Sequence, residues 1–255
     1  MNCNNDLRTD YSFCPDCGAK IIRNRITIKN LWFDIIERYF NLDNSFLRTL
    51  KDMILRPELV CKGYISGIRK KYLNPVSLLA ISLTLSGAII FVMKNIAWDT
   101  IDFSAMPFAK GVESDKIMAI TLEYSSLLFL FYIPLLAVCG FLLFNKENYN
   151  LPEHVIIAMY ALSAFSIIMF PYSLFTLLFI PQTYLELSLY YSLLMIVYCL
   201  YVSCRNSKGT LLQIVLRAPI YVLLFVFGFF GVSILFNLVL LFTGVLSLED
   251  MVPKN

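Results

Sequence analysis

The sequence predicts an all-α integral membrane protein, a helical bundle of about five spans behind a polar, amphipathic front piece. Three observations carry that expectation. The basic run Ile68-Arg69-Lys70-Lys71-Tyr72-Leu73-Asn74-Pro75 stops abruptly, and an apolar chain begins at Val76. The composition is 58% hydrophobic and 15% charged, whereas a soluble domain has roughly 45–50% apolar and about 25% charged residues. Lys and Arg also fall unevenly along the chain, as they do in proteins with two differently charged sides.

A span needs about 17–25 mostly apolar residues to cross a hydrocarbon core of ~30 Å. Residues 76–93, 124–144, 155–180, 183–204 and 219–246 meet that requirement. The start, Met1-Asn2-Cys3-Asn4-Asn5-Asp6, lacks the basic and apolar regions of a cleaved signal. The front piece is therefore expected in the cytosol, with the first span as an uncleaved anchor. Thirteen basic residues precede position 75; Lys146, Arg205, Lys208 and Arg217 lie in loops on the same expected side. The opposite side holds only Lys94, Lys110, Lys116 and Lys254, diluted by acids such as Asp99, Asp102, Glu113 and Asp115. The positive-inside rule then predicts a cytosolic N-terminus and an external C-terminus, which an odd number of spans requires.

Three regions result: a tail over 1–25, cytosolic or interfacial helices over 26–74, and a transmembrane domain over 75–255. In the tail, Cys14-Pro15-Asp16-Cys17-Gly18 has the form of a zinc knuckle. Two thiolates two residues apart can grip one zinc ion from a tight turn, which the glycine helps to close. Upstream, Cys3-Asn4-Asn5-Asp6 repeats the spacing with a carboxylate at the second place. Cys3, Asp6, Cys14 and Cys17 are thus a candidate zinc set; the other reading is a site that has lost its second pair. No strand–helix–strand pattern surrounds the Cys-x-x-Cys to support a redox role. The seven cysteines do not suggest a disulfide framework. Cys61, Cys139, Cys199 and Cys204 read as small apolar packing residues.

Between Thr27 and Tyr72 the chain reads as short amphipathic helices. Thr27 can cap the first, with Ile28, Leu31, Trp32, Ile35, Ile36 and Tyr39 on one face. Asp43 can cap the second, whose stripe is Phe46, Leu47, Leu50, Met53 and Ile54. Pro57 suits the first position of a third, with Leu59, Val60, Tyr64, Ile65 and Ile68 running up to the Arg-Lys-Lys cluster. So short a section is marginal as a domain of its own. The expected form is a collar at the membrane surface, with apolar faces down and basic residues meeting anionic lipid. Arg56, Arg69, Lys70, Lys71 and Tyr72 are the candidate lipid-contacting residues.

The same stretch carries a resemblance. Leu42-Asp43-x-x-Phe46-x-x-Thr49-Leu50, then Arg56-Pro57, Tyr64, Gly67-x-Arg69-x-x-Tyr72 and Pro75 are similar to the signature of the bacterial membrane family labelled domain of unknown function 3667. That resemblance implies an N-terminal Cys-x-x-Cys ribbon, several C-terminal spans and a bacterial cytoplasmic membrane. It brings no biochemical activity with it. Asp6 departs from the ribbon pattern, which has cysteine there.

Ionisable groups at membrane depth are costly and by default suggest function. Here Glu123 and Glu186 fall at span edges, Lys94 and Arg217 can snorkel, and His154, beside Glu153, is expected to be solvated. Pro134 and Pro171 are expected to kink their spans. Gly228 and Gly231, three apart, can permit close helix contact. No phosphate-cradling loop, His-Glu-x-x-His or Gly-x-Ser-x-Gly occurs. Anionic lipid already accounts for the basic residues, so no nucleic-acid partner is expected. The expected role is a non-enzymatic membrane scaffold or accessory subunit contacting lipid or a protein partner, self-association included. The alternatives are a small-molecule or lipid transporter subunit and, third, an enzyme acting on lipid. Metal analysis of the purified chain tests the tail: stoichiometric zinc, lost in Cys14→Ser and Cys17→Ser, is expected, and a metal-free chain that folds normally refutes the set.

Overall fold

The computed structural model describes Cys14 and residues 45–68, 71–101, 125–207 and 209–243, with the backbone alone at 99, 125–128 and 211. The chain divides into two compact units, Met1–Asp43 and Asn44–Asn255. In the first, only Cys14 is described, and it is buried. Cys3, Asp6, Cys17, the helix expected after Thr27, Arg69, Lys70 and Glu123 lie outside the described residues.

All regular structure among the described residues of the second unit is helical. α1 (Ser45–Leu55) ends because Arg56 precedes proline, which disfavours helical backbone there; Arg56 sits at φ −146°, ψ 60°. Pro57 opens α2 (Pro57–Ile65) at a position where its missing N–H costs nothing. α2 closes in a Schellman turn: Ile68 N–H donates to Gly63 O at 2.8 Å and Gly67 N–H to Tyr64 O at 3.1 Å. That turn requires a left-handed residue, supplied by Gly67 at φ +95°. The expected run of helix up to the basic cluster is therefore cut short, and Ile68 lies exposed beyond the cap.

α3 (Pro75–Val92) again starts on proline, and Asn74 Oδ1 accepts the Val76 N–H at 2.9 Å. A π turn (Met93–Ala97) and a 3-10 turn (Trp98–Thr100) prolong it. α4 is Ser125–Leu143 and α5 is Leu151–Phe179. α5 opens with a capping box in which Asn150 N–H donates to Glu153 Oε2 at 2.7 Å. α6 (Tyr184–Ser207) follows a single 3-10 turn. α7 (Leu211–Phe242) begins with a Thr210–Gln213 capping box. Its expected start at 219 is corrected: Arg217 lies inside the helix and donates to Leu143 O at 2.6 Å, so this cation completes the end of α4 instead of marking a loop.

Among the described residues, four stretches are long and apolar enough to cross a membrane: Pro75–Ala97, Leu151–Phe179, Pro181–Ser207 and Leu212–Phe242. Phe129–Leu143 of α4 is apolar but shorter over its described side chains. The bundle is built on α5, against which α3, α4 and α6 all pack. Ala158, Ala161, Ser163 and Ala164 keep the buried side of α5 small enough for close approach, and Ser86 and Ser166 meet at 3.3 Å across α3 and α5. α7 rests mainly on α4. A Cβ on Gly228 would overlap Leu135 Cδ1, whereas Gly231 faces open space; of the glycine pair, only the first serves close contact. In the most apolar 18-residue window of α7 only 6% of residues are buried, so its exposed side needs an apolar environment from outside the chain.

α1 and α2 do not lie apart from the bundle. Met53, Val60 and Cys61 are fully buried in the same core cluster as Tyr160 and Val202. The apolar stripe expected to sink into lipid is in part turned onto α5 and α6, with which α1 and α2 share a core. Leu47, Ile54, Leu55 and Leu59 remain exposed.

Tyr160, fully buried, donates its hydroxyl to Leu73 O at 2.7 Å. Tyr160→Phe should leave that carbonyl without this donor and cost about 1–3 kcal/mol. A lowered thermal midpoint of the detergent-purified protein in fluorescence-detected size exclusion is the expected readout; an unchanged midpoint contradicts the assignment.

Candidate collar site at the end of the bundle

The last carbonyls of any α-helix lack intrahelical partners, and α1 ends in a part-buried place. Arg56 N–H takes Asp52 O at 2.7 Å. The next two are capped from α6: Tyr198 donates to Met53 O and Tyr201 to Ile54 O, each at 3.1 Å. Two ion pairs add to this seam. Arg205 of α6 grips Glu58 of α2 through both carboxylate oxygens, at 2.6 and 3.1 Å, and Lys62 Nζ lies 3.5 Å from Glu147. Both pairs are partly exposed, so they orient α2 more than they stabilise it.

A second seam joins α1 to the start of α3. Thr49 is fully buried; its Oγ1 donates to Ser45 O at 2.6 Å and accepts the Leu73 N–H at 2.9 Å. Tyr72, also buried, donates to Asp52 Oδ2 at 2.9 Å. Burial, reinforced by the Asp52 carboxylate, pushes the Tyr72 phenol above its usual value, while nearby Lys71 pulls the other way. Lys71 Nζ stands 5.0 Å from the Tyr72 ring centroid, within cation–π range. Tyr64 packs edge-on against Tyr160 with ring centroids 5.9 Å apart. Burial also pushes the Cys61 thiol up to about 12, with Asn206 opposing, so Cys61 is a packing residue and not a nucleophile at neutral pH.

Outside these seams lie two adjoining clefts. One, of about 420 Å³, is lined by Lys51, Asp52, Leu55, Arg56, Leu59 and Lys71. The other, of about 400 Å³, shares Leu59 and Lys71 and continues past Gly63, Ile65 and Ile68. Lys51, Arg56 and Lys71 are exposed. Arg56, Lys71 and Tyr72 of the expected lipid-contacting set thus fall in one neighbourhood, with Tyr72 as an inward anchor. Lys94 and Glu186, both exposed, lie near helix ends far along the chain and join no cluster among the described residues. Among the described residues, no three His, Cys, Asp or Glu side chains are grouped to hold a metal ion.

His154 corrects its expectation. It is buried, its rim formed by Phe141 and Tyr149 with ring centroids at 5.8 and 6.2 Å. Gly140 makes the room: a Cβ there would stand 3.1 Å from His154 Nδ1. Nε2 has no hydrogen-bond partner among the described residues. A small void of only about 10 Å³ lies beside it, bordered by Ser203 and Tyr221; that is room for about one water.

Sequence reading missed Thr49, Tyr160, Tyr198 and Tyr201 as structural clamps. A threonine inside a helix and tyrosines at span ends look like ordinary helix and belt residues until their distant acceptors are known.

Residues 43–87 match the family model described as a protein of unknown function (DUF3667). That segment contains α1, α2, the Tyr72 turn and the first part of α3. No curated protein and no solved structure matches the chain.

Proposed function

We propose that the chain is a multi-pass scaffold or accessory subunit of a bacterial cytoplasmic membrane. In this reading α4 is a fifth span, the N-terminus is cytosolic and the C-terminus external. The collar then forms a cytosolic face that contacts anionic headgroups or a protein partner, and the chain performs no chemistry of its own. The tail set Cys3, Asp6, Cys14 and Cys17 would hold a structural zinc. One observation carries the reading: the segment matching the family is clamped to the bundle end from two sides, while Lys51, Arg56 and Lys71 face outward. A rigid mount under a basic surface suits recruitment better than catalysis, which calls for converging acid, base or nucleophile groups. The smallness of the void beside His154 also favours a packed bundle over a transport path at that place.

Two measurements test this. Single cysteines at Gln182 and Thr210, in a cysteine-free background, should label from opposite sides with a membrane-impermeant maleimide: Gln182 in intact cells, Thr210 only after permeabilisation. Labelling of both from one side overturns the topology. Hydrogen exchange across residues 45–68 should be slower in nanodiscs of phosphatidylglycerol than of phosphatidylcholine; equal exchange removes the lipid-contacting face.

A further inference from the structure

Three cations line the cleft between α1 and the Lys71 turn: Lys51, Arg56 and Lys71. Among the described residues of that lining the one acid is Asp52, which accepts the Tyr72 hydroxyl and keeps its charge, so the three cations still outnumber it. The acids nearby are committed as well, Glu58 to Arg205 and Glu147 to Lys62. No ion pair joins Lys51, Arg56 or Lys71 to an acid among the described residues. Like charges gathered at one concavity repel one another, and a bound anion removes that cost. A guanidinium and two ammonium groups suit a phosphate, which accepts from several donors at once.

The same cleft is also greasy. Leu55 and Leu59 line it and are 56% and 44% exposed. Leu59 leads into the adjoining cleft, where Ile68 is 55% exposed. A free phosphate would occupy the cations and leave those side chains in water. A phosphate with an attached acyl chain would cover both. Position agrees with this: Lys71 lies four residues before Pro75, where the first spanning stretch begins, and headgroups meet basic residues at that depth. The cleft is held in shape by Thr49–Leu73 and Tyr72–Asp52, so the cations are positioned before any ligand arrives.

From this we infer that the collar holds one anionic phospholipid as a discrete ligand, its phosphate between Lys51, Arg56 and Lys71 and an acyl chain along Leu59 toward Ile68. The inference rests on the membrane-scaffold reading and names the lipid class that its basic face takes.

Native mass spectrometry of the delipidated full chain tests it, with phosphatidylglycerol, phosphatidylcholine and inorganic phosphate as probes. One retained phosphatidylglycerol is expected, preferred over phosphatidylcholine by about tenfold or more and not displaced by millimolar phosphate. The triple variant Lys51→Gln, Arg56→Gln, Lys71→Gln should lose that preference, Lys71→Arg should keep it, and Leu59→Asn should weaken retention of long-chain lipid. All four positions are exposed, and a wild-type thermal midpoint verifies that each variant is folded; should the triple variant fall short, the single Lys71→Gln is read against Lys71→Arg instead. Equal retention of both lipids, or equal retention by the variants, overturns the site. Displacement by inorganic phosphate overturns the lipid assignment and leaves a simple anion site. Slowed exchange in phosphatidylglycerol nanodiscs without a retained lipid would sink this inference alone, whereas same-side labelling of Gln182 and Thr210 would sink the scaffold reading beneath it.

Discussion

One peptide unit ties the molecule together. Leu73 gives its N–H to Thr49 in α1 and its carbonyl to Tyr160 in α5. It stands two residues before the first spanning helix, so these bonds fix where α3 begins relative to both the collar and the central helix. All the groups involved are buried, where an unmade hydrogen bond is expensive. The backbone there has no helix or sheet of its own to satisfy it. Side chains 24 and 87 residues away do so instead. The clefts, the orientation of Lys71 and the burial of Tyr72 all follow from that anchorage.

The bundle obeys a different economy. α5 is the hub, and its small residues let three neighbours approach closely, while α7 packs mainly on α4 and leaves a long apolar side uncovered. In water such a surface would drive aggregation; in hydrocarbon it costs nothing. Among the described residues, several buried polar groups are answered from within the chain: Ser82 donates to Leu79 O, Thr176 to Tyr172 O and the Asn206 amide N–H to Val202 O. His154 Nε2, Ser163 Oγ and Asn206 Oδ1 have no hydrogen-bond partner among those residues; the histidine faces a glycine on the neighbouring helix.

Much of the architecture was legible because it depends on near neighbours. Pro57 and Pro75 each open a helix, Asn74 caps one, and Gly67 allows the turn between them; each effect acts within about four residues and can be read locally. Spanning stretches are likewise a matter of composition over a window. What stayed hidden depends on distant partners. Thr49 resembles any helical threonine until Leu73 is brought beside it. Arg217 resembles a loop cation until the end of α4 supplies its acceptor. His154 is buried against Gly140, where a methyl group would crowd its ring at 3.1 Å, a contact that no periodicity encodes. The zinc set lies in the unit of which only Cys14 is described.

The two tyrosines that finish α1 have a temporal consequence. Met53 O and Ile54 O find their donors 145 and 147 residues later in the chain, on the helix after the central one. Synthesis proceeds from the N-terminus, so the end of α1 is complete only after α6 has been made and has packed beside α5. Until then those carbonyls must rely on water. The docked collar is thus completed in two stages: the Thr49–Leu73 and Tyr72–Asp52 contacts that shape its basic cleft join residues close in the chain, whereas the end of α1 is closed only once α6 has packed.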